Sequence, residues 1–190
     1  MTTALTLLLV QGVLGALDTL YYHEYRARLV GGGLQTRPEL LLHAARDFLY
    51  TLLFAALPFV VFHGAFAVGL GLVLAAEIVI TLADFVIEDR VRAPLGGVYA
   101  GERVMHTIMA ILYGAILANL LPELARWVAL PTALVAYGPL SSGPLSPALS
   151  WLMVAMAGGV FVSGVRDLAC ALGVRRAVFP WKIEESRWKR

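Results

Sequence analysis

The chain has 190 residues, of which 59% are hydrophobic and 15% are charged, and its formal net charge is +2. Its mean hydropathy of +0.77 excludes an ordinary soluble protein and predicts a single-domain integral membrane protein over 1–190. The one cysteine, Cys170, excludes an intrachain disulfide and a paired-cysteine metal site. The small positive charge is no indication of nucleic-acid binding, because the basic residues fall in short connections and at the C-terminal end.

Five apolar segments are each about as long as a helix that crosses a bilayer, which needs about 20 residues. The apolar run over 48–87 is too long for one helix, and we place its break at His63-Gly64, where Pro58 already weakens the helix. Pro122 is expected to end the fourth helix, and 126–137 to lie along the membrane interface. The predicted fold class is an all-α integral membrane bundle of about five transmembrane helices, over 4–22, 40–62, 65–87, 102–121 and 148–165.

The arginines and lysines predict the orientation of these spans. With five spans and the N-terminus outside, every Lys and Arg except Arg126 falls on the cytoplasmic side. Cytoplasmic connections carry an excess of basic residues, so the asymmetry favours an N-out, C-in protein, which we expect in a bacterial inner (cytoplasmic) membrane. Residues 172–190 then form a basic cytoplasmic tail.

Acidic and histidine side chains recur at the cytoplasmic ends of the first four predicted spans. An ionisable group at membrane depth is costly unless it is paired, hydrated or bound to a metal. Because these groups fall in one layer, they indicate a shared polar or metal site near the cytoplasmic side. The layer comprises Asp18, His23, Glu24, His43, Asp47, Glu77, Asp84, Glu88, Glu102 and His106.

Helical spacing places the acidic residues of the third helix on one face. Glu77, Thr81, Asp84 and Glu88 follow one another at intervals of four, three and four residues. Glu77 lies about 10 Å deeper than Asp84, at a rise of about 1.5 Å per residue. Its depth, without a basic residue nearby in its own helix, favours a functional role.

The second and fourth helices each offer an imidazole and a carboxylate one turn apart. His43 and Asp47 form one such pair, and Glu102 and His106 form the other. Side chains four residues apart lie on the same face of an α-helix, so each pair can act at one site.

The first helix is less regular, because Asp18 and Glu24 point in directions about 120° apart in an α-helix. We favour Glu24 as the ligand, since its depth matches the other groups, and Asp18 as a deeper proton or hydrogen-bond partner. His23 points away again and is expected to be interfacial.

Imidazole and carboxylate donors without a thiolate suit iron, zinc or manganese. Two helices with carboxylate and histidine, and two with carboxylates, resemble the ligand set of four-helix di-iron carboxylate proteins. The resemblance covers the ligand types on helices 1–4, whereas the four-residue spacing differs from the three-residue spacing of that family. The predicted metal ligands are Glu24, His43, Asp47, Glu77, Glu88, Glu102 and His106.

The first functional hypothesis is a membrane-embedded metal-dependent enzyme that acts on a lipid or membrane-soluble substrate at the cytoplasmic leaflet. Iron would support hydroxylation, desaturation or another O₂-dependent oxidation, and zinc would support hydrolysis. The number of carboxylates favours iron, and therefore an oxidoreductase. Glu77 and Asp84 are the predicted catalytic residues, and an anionic head group is expected to bind Arg46, Arg92 and Arg103.

Two alternatives remain open. His43 and His106 could be the axial ligands of haem b in an electron-transfer protein. A non-enzymatic accessory subunit could instead use Glu77, Asp84 and Glu88 to handle protons. Small residues of the first and third helices allow close packing within or between chains, so the sequence is compatible with a homo-oligomer under any of these functions.

Overall fold

The computed structural model describes residues 1–138 and 143–174. Five long helices dominate it: α1 (Thr2–Asp18), α2 (Arg37–Ala56), α3 (Ala65–Val91), α4 (Ala100–Val128) and α5 (Pro147–Ala171). The number of long helices agrees with the prediction. The predicted basic tail at 172–190 lies, from residue 175 onward, outside the described residues.

Four stretches of helix in the described part of the chain are long and apolar enough to cross a membrane: Thr2–Ala27, Ala65–Val91, Ala100–Val128 and Pro147–Ala171. The helix α2 is not among them. Its first half carries Arg37, Glu39, His43, Arg46 and Asp47, which lower its hydropathy below that of a typical span.

The first helix changes its winding near its end. The chain passes from α1 directly into a nine-residue π-helix over Thr19–Ala27. This π-helix ends at Arg28, whose φ of 54° is left-handed, and a 3₁₀ turn over Leu29–Gly31 follows. A π-helix bonds residue i to residue i+5, so side chains five apart share a face in this segment.

The chain is mostly helical, as predicted, but a two-stranded antiparallel ribbon that was not predicted interrupts it. Strand β1 (Val60–His63) pairs with β2 (Ala133–Ala136), with Val60 opposite Ala136. The helix predicted over 40–62 ends at Ala56 because Pro58 disfavours helical geometry in the residue before it. The segment 126–137, expected along the interface, contains the end of α4 and the strand β2.

The fourth helix does not stop at Pro122, contrary to the prediction; it continues to Val128. Proline removes one backbone hydrogen bond, and a long apolar helix tolerates this where neighbouring groups compensate. Leu120, Leu124 and Trp127 are buried on both sides of Pro122, so packing of this face outweighs the lost bond.

The apolar core fills the half of the bundle between the ribbon and the middle of the helices. Leu5, Leu8, Phe54 and Leu120 are among its most buried side chains. Near the other end α5 lies close against α2, because Gly164 has no side chain: a Cβ there would lie 3.0 Å from the Cβ of Asp47. This close packing brings the end of α5 to the same level as the start of α2.

Gly64 fixes the corner between β1 and α3, and this gives a first prediction. Its φ is +56°, and an added Cβ would lie 2.7 Å from the Cα of Thr132. Gly64→Ala should therefore lower the free energy of unfolding by about 1–3 kcal/mol, through backbone strain and displacement of the ribbon. Thermal unfolding in detergent measures the effect.

Gly69→Ala is the matched control, since Gly69 lies inside α3 and an added Cβ meets nothing within 4 Å. Alanine there should leave the melting temperature unchanged or raise it, because glycine costs a helix about 0.5–1 kcal/mol. Equal melting temperatures for Gly64→Ala and wild type would contradict the assigned role of the corner.

Candidate metal centre

All five helices bring ionisable side chains to the end of the bundle opposite the ribbon. We call this group the polar layer; each member is less than 9% exposed. Its members are Asp18, His23, Glu24, Glu39, His43, Asp84, Glu88, Arg92, Glu102, His106 and Asp167. The sequence predicted a layer made by four helices, and Asp167 of α5 extends it to the fifth.

His23 lies at the centre of the polar layer, which corrects the expectation that it is interfacial. Its Nε2 is 3.3 Å from Asp18 Oδ2 and 3.2 Å from Glu102 Oε1. Its ring stacks on that of His43, with centroids 4.6 Å apart. The expectation failed because it assumed α-helical periodicity, whereas Asp18 and His23 are five residues apart where π-helical winding begins.

His106 lies on the other side of Asp18. Its Nε2 is 3.2 Å from Asp18 Oδ2, and its Nδ1 is 3.6 Å from Glu88 Oε1. Asp18, His23 and His106 can each offer one ligand atom, and these three atoms lie within 4.8 Å of one another. This spacing lets one ion bind all three.

His43 forms a second group of contacts beside the first. Its Nε2 is 3.2 Å from Asp84 Oδ2 and 3.9 Å from Glu39 Oε1, and its Nδ1 is 4.0 Å from Asp167 Oδ2. The partner of His43 within α2 is therefore Glu39, one turn earlier. Asp47, the partner predicted from the sequence, lies where α2 meets Gly164 of α5.

Arg92 holds the two glutamates that precede the histidines of α2 and α4. The side chain of Arg92 is fully buried. Its Nε donates a hydrogen bond to Glu39 Oε1 at 2.9 Å. Its Nη2 donates to Glu39 Oε1 at 2.6 Å and to Glu102 Oε1 at 3.0 Å. Burial alone would favour the neutral guanidine, but these carboxylates raise the pKa of Arg92 above its ordinary value. Arg92 is thus a structural cation.

The other basic residues near the layer are also engaged by carboxylates. Arg46 Nη1 is 3.3 Å from Asp84 Oδ2, and Arg166 is paired with Glu24. Glu24, predicted as a metal ligand, is thereby directed to α5. Arg103 is exposed, outside the polar layer. Of the three arginines predicted to bind an anionic head group, Arg46 and Arg92 are thus paired inside the protein.

Several buried atoms of the polar layer have no hydrogen-bond partner in the described structure. His23 Nε2 and His43 Nε2 lie 3.2 Å from carboxylate oxygens, which is ion-pair distance, without forming hydrogen bonds of good geometry. Buried polar atoms are normally satisfied, so these atoms leave room for a further partner, such as a cation or an ordered water. The unpartnered carboxylate oxygens are Asp18 Oδ1, Asp84 Oδ1, Glu88 Oε2, Glu102 Oε2 and Asp167 Oδ1.

The polar layer contains more negative than positive charge. Seven of its members are carboxylates, and three arginine guanidiniums contact them, which leaves four carboxylates in excess. Buried charges need pairing or coordination. Histidines can offset part of the excess as imidazolium, and divalent cations would offset it while leaving the imidazoles neutral as ligands.

A cavity of about 600 Å³ reaches the polar layer at Asp18 and His106 and extends toward the middle of the bundle. Glu77 lines its deeper part, where Tyr50 Oη donates to Glu77 Oε1 at 3.1 Å and Thr81 Oγ1 donates at 3.0 Å. Glu77 was predicted to be both a metal ligand and a catalytic group. Its carboxylate instead accepts hydrogen bonds from two hydroxyls. Among the described residues, no hydrogen bond or ion pair joins it to a histidine.

The cavity opens onto apolar surface. Leu20, Leu82 and Val162 border it and are 52%, 58% and 66% exposed. A molecule dissolved in the hydrocarbon of a membrane would meet this opening directly.

No protein-family model matches this chain, and neither a curated protein nor a solved structure matches it significantly. The interpretation of the polar layer therefore depends on its own geometry.

One signal in the sequence could have identified Glu39. Glu39-Leu-Leu-Leu-His43 in α2 and Glu102-Arg-Val-Met-His106 in α4 have the same order and spacing. Arg92 contacts both glutamates, and α3 supplies an acid to each histidine, Asp84 to the first and Glu88 to the second. No comparable signal marks His23, since a π-helix is not read from residue spacing.

The burial of Arg92 gives a second prediction. Arg92→Met should lower the free energy of unfolding by about 3–5 kcal/mol, because it leaves Glu39 and Glu102 buried without their cation. Thermal unfolding in detergent measures this loss. Arg90→Met is the control, because Arg90 is exposed near the end of the same helix.

A double variant separates the lost charge pair from lost packing. Arg92→Met with Glu39→Gln should recover part of the stability, since one buried charge is removed together with its partner. A melting temperature of Arg92→Met equal to that of wild type would refute the structural role of Arg92.

Proposed function

We propose that this chain is a membrane-embedded metal-dependent enzyme that holds two divalent ions in the polar layer. One observation carries the proposal: imidazole nitrogens and carboxylate oxygens converge at 3.2–3.3 Å in a buried layer, while many of them lack hydrogen-bond partners. Such a set matches the donors that iron, zinc and manganese take in proteins.

The donors fall into two groups, which is why two ions are proposed. Asp18, His23 and His106 form the first, with Glu102 beside His23. His43 and Asp84 form the second, with Glu39 and Asp167 within 4.0 Å of His43. The stacked rings of His23 and His43 place the two groups side by side.

Arg92 and the carboxylates around the histidines would act as supporting groups. Arg92 fixes Glu39 and Glu102, so both carboxylates are oriented before an ion enters. Glu88 Oε1 lies near Nδ1 of His106, where a carboxylate can orient the ring and select which nitrogen faces the ion.

Iron is the metal we favour, because carboxylates outnumber imidazoles in the layer and the ligand set resembles that of di-iron carboxylate bundles. Iron bound there would supply O₂-dependent oxidation of a substrate in the cavity; zinc would instead activate water for hydrolysis. The protein itself excludes bulk water, since the donors are buried, and admits apolar molecules through the opening of the cavity.

The proposed setting is a bacterial inner membrane, with the polar layer near the cytoplasmic face. The support is the distribution of Lys and Arg, together with four helices of sufficient length and hydropathy.

A haem between His43 and His106 is disfavoured, because His23 contacts the rings of both at centroid distances of 4.6 and 6.2 Å. A porphyrin needs that space.

Metal analysis of detergent-purified protein tests the proposal and is the third prediction. Wild type should carry about two iron or other divalent ions per chain, as dinuclear bundle sites do. His23→Gln and His106→Gln should each lose at least one ion, because each removes a ligand of the first group. His63→Gln should retain both, since His63 lies in β1 at the other end of the bundle.

Folding is followed in parallel, so that a loss of metal is not confused with a loss of structure. After chelation, wild type should rebind Co²⁺ with visible d–d absorption, and the His23→Gln protein should not give the same spectrum. Folded wild type that neither retains metal nor rebinds cobalt would contradict the proposal and leave the layer as ion-pairing or proton-handling groups.

A further inference from the structure

The cavity contains a second polar level that the proposed metal site does not use. We define the inner level as Gln11, Tyr50, Glu77 and Tyr113, all of which line the cavity. Each lies seven residues along its helix from a member of the polar layer: Asp18, His43, Asp84 and His106. Seven residues of α-helix rise about 10 Å, so the two levels are parallel and about that far apart.

Hydrogen bonds in the inner level run in one direction. Gln11 Nε2 donates to Tyr50 Oη at 3.4 Å, and Tyr50 Oη donates to Glu77 Oε1. Because the hydroxyl hydrogen of Tyr50 is directed to Glu77, Tyr50 can only accept from Gln11, which fixes the orientation of the amide. Gln11 Oε1 is then left as a buried acceptor without a partner, on a side chain that is 8% exposed.

This level therefore lacks a hydrogen-bond donor, not an acceptor. Tyr113 Oη donates to the backbone oxygen of Leu74, so its hydrogen is also engaged. Thr81 donates to Glu77, as described above. A ligand that completes the level must bring its own donor, such as a hydroxyl or an ammonium group. A carboxylate at this level would face Glu77 and the unpartnered Gln11 oxygen. The two arginines that line the cavity, Arg46 and Arg166, are already paired with Asp84 and Glu24, so the level disfavours a carboxylate.

The walls around the inner level fit an apolar chain. Gly15, Gly114 and Gly159 line the cavity, and an added Cβ at any of them meets nothing within 4 Å. Glycines at these points keep the space open along α1, α4 and α5. Leu117 and Val160 continue the lining with apolar surface.

We propose that the inner level binds the hydroxyl or ammonium group of a single-chain amphiphile, whose chain lies along the glycine-lined wall. This proposal rests on the proposed function and names a substrate class for it. The substrate would be a chain whose hydrogen-bond donor lies about 10 Å from the carbon or group that faces the polar layer. Binding at the inner level itself requires no metal.

The test uses photoreactive probes with one 12-carbon chain carrying a diazirine and ending in an alcohol, an amine or a carboxylate. Wild-type protein in lipid nanodiscs is irradiated with each probe, and the labelled peptides are identified by mass spectrometry. The alcohol or the amine should label cavity-lining peptides of α1 and α4 at least about fivefold more than the carboxylate, the ratio expected for one hydrogen bond.

Two pairs of variants locate the binding. Gly114→Leu should abolish labelling by filling the cavity, and Gly158→Leu should not, because Gly158 has open space around it and does not line the cavity. Gln11→Leu should reduce labelling by both the alcohol and the amine about fivefold. Glu77→Gln should reduce labelling by the amine more than by the alcohol. The second comparison distinguishes the two head groups.

Metal content is measured on the same samples. Labelling of wild type with the predicted preference but without bound metal would sustain the inner level and refute the metal proposal. Labelling that is equal for all three head groups, or unchanged in Gly114→Leu, would overturn the inner-level proposal whatever the metal content.

Discussion

The excess of buried carboxylates over arginines is the constraint on which the structure depends. The polar layer holds seven carboxylates, and only four of them, Glu24, Glu39, Asp84 and Glu102, contact a guanidinium. One of the three arginines, Arg92, is completely enclosed. Such an arrangement is stable only when the remaining charge is offset by protonation or by cations. Arg92 orders Glu39 and Glu102, whereas single oxygens of Asp18, Asp84, Glu88 and Asp167 have no hydrogen-bond partner. The same residues that make the layer costly as an ion-pair network therefore make it suitable for binding metal.

The helices present this chemistry in a repeated form. Glutamate followed four residues later by histidine occurs in α2 and in α4, and α3 supplies an acid opposite each histidine. The seven-residue spacing between the polar layer and the inner level makes the two levels parallel, and one cavity joins them. Under the proposed function, a substrate with an apolar chain and a donor group would be held at the inner level while another part of it faces the proposed metal site. Recognition and reaction would thus be separated along the helices by a distance that the helical rise sets.

The sequence predicted the five helices and the level of the layer because both depend on hydropathy and on alternation of three and four residues. It failed where local geometry departs from that period. The π-helix turned His23 inward beside Asp18, and Pro58 ended α2 early enough for a strand to follow. Partners from distant elements were also missed. Glu39 meets Arg92, and Asp167 meets His43, only after α2 packs against α3 and α5. Residue spacing reports which groups share a face, but not which faces meet.

X-ray absorption at the K edge of the metal that the protein retains would show whether the side chains of the polar layer coordinate it. If the polar layer is a metal centre, the spectrum should show nitrogen and oxygen ligands at about 2.0–2.2 Å, with the multiple-scattering pattern of at least two imidazoles around one ion. His23→Gln should reduce the imidazole contribution, whereas His63→Gln should leave the spectrum unchanged. A spectrum of hydrated metal without imidazole scattering, or one unaffected by His23→Gln in folded protein, would contradict the assignment of the polar layer as a metal centre.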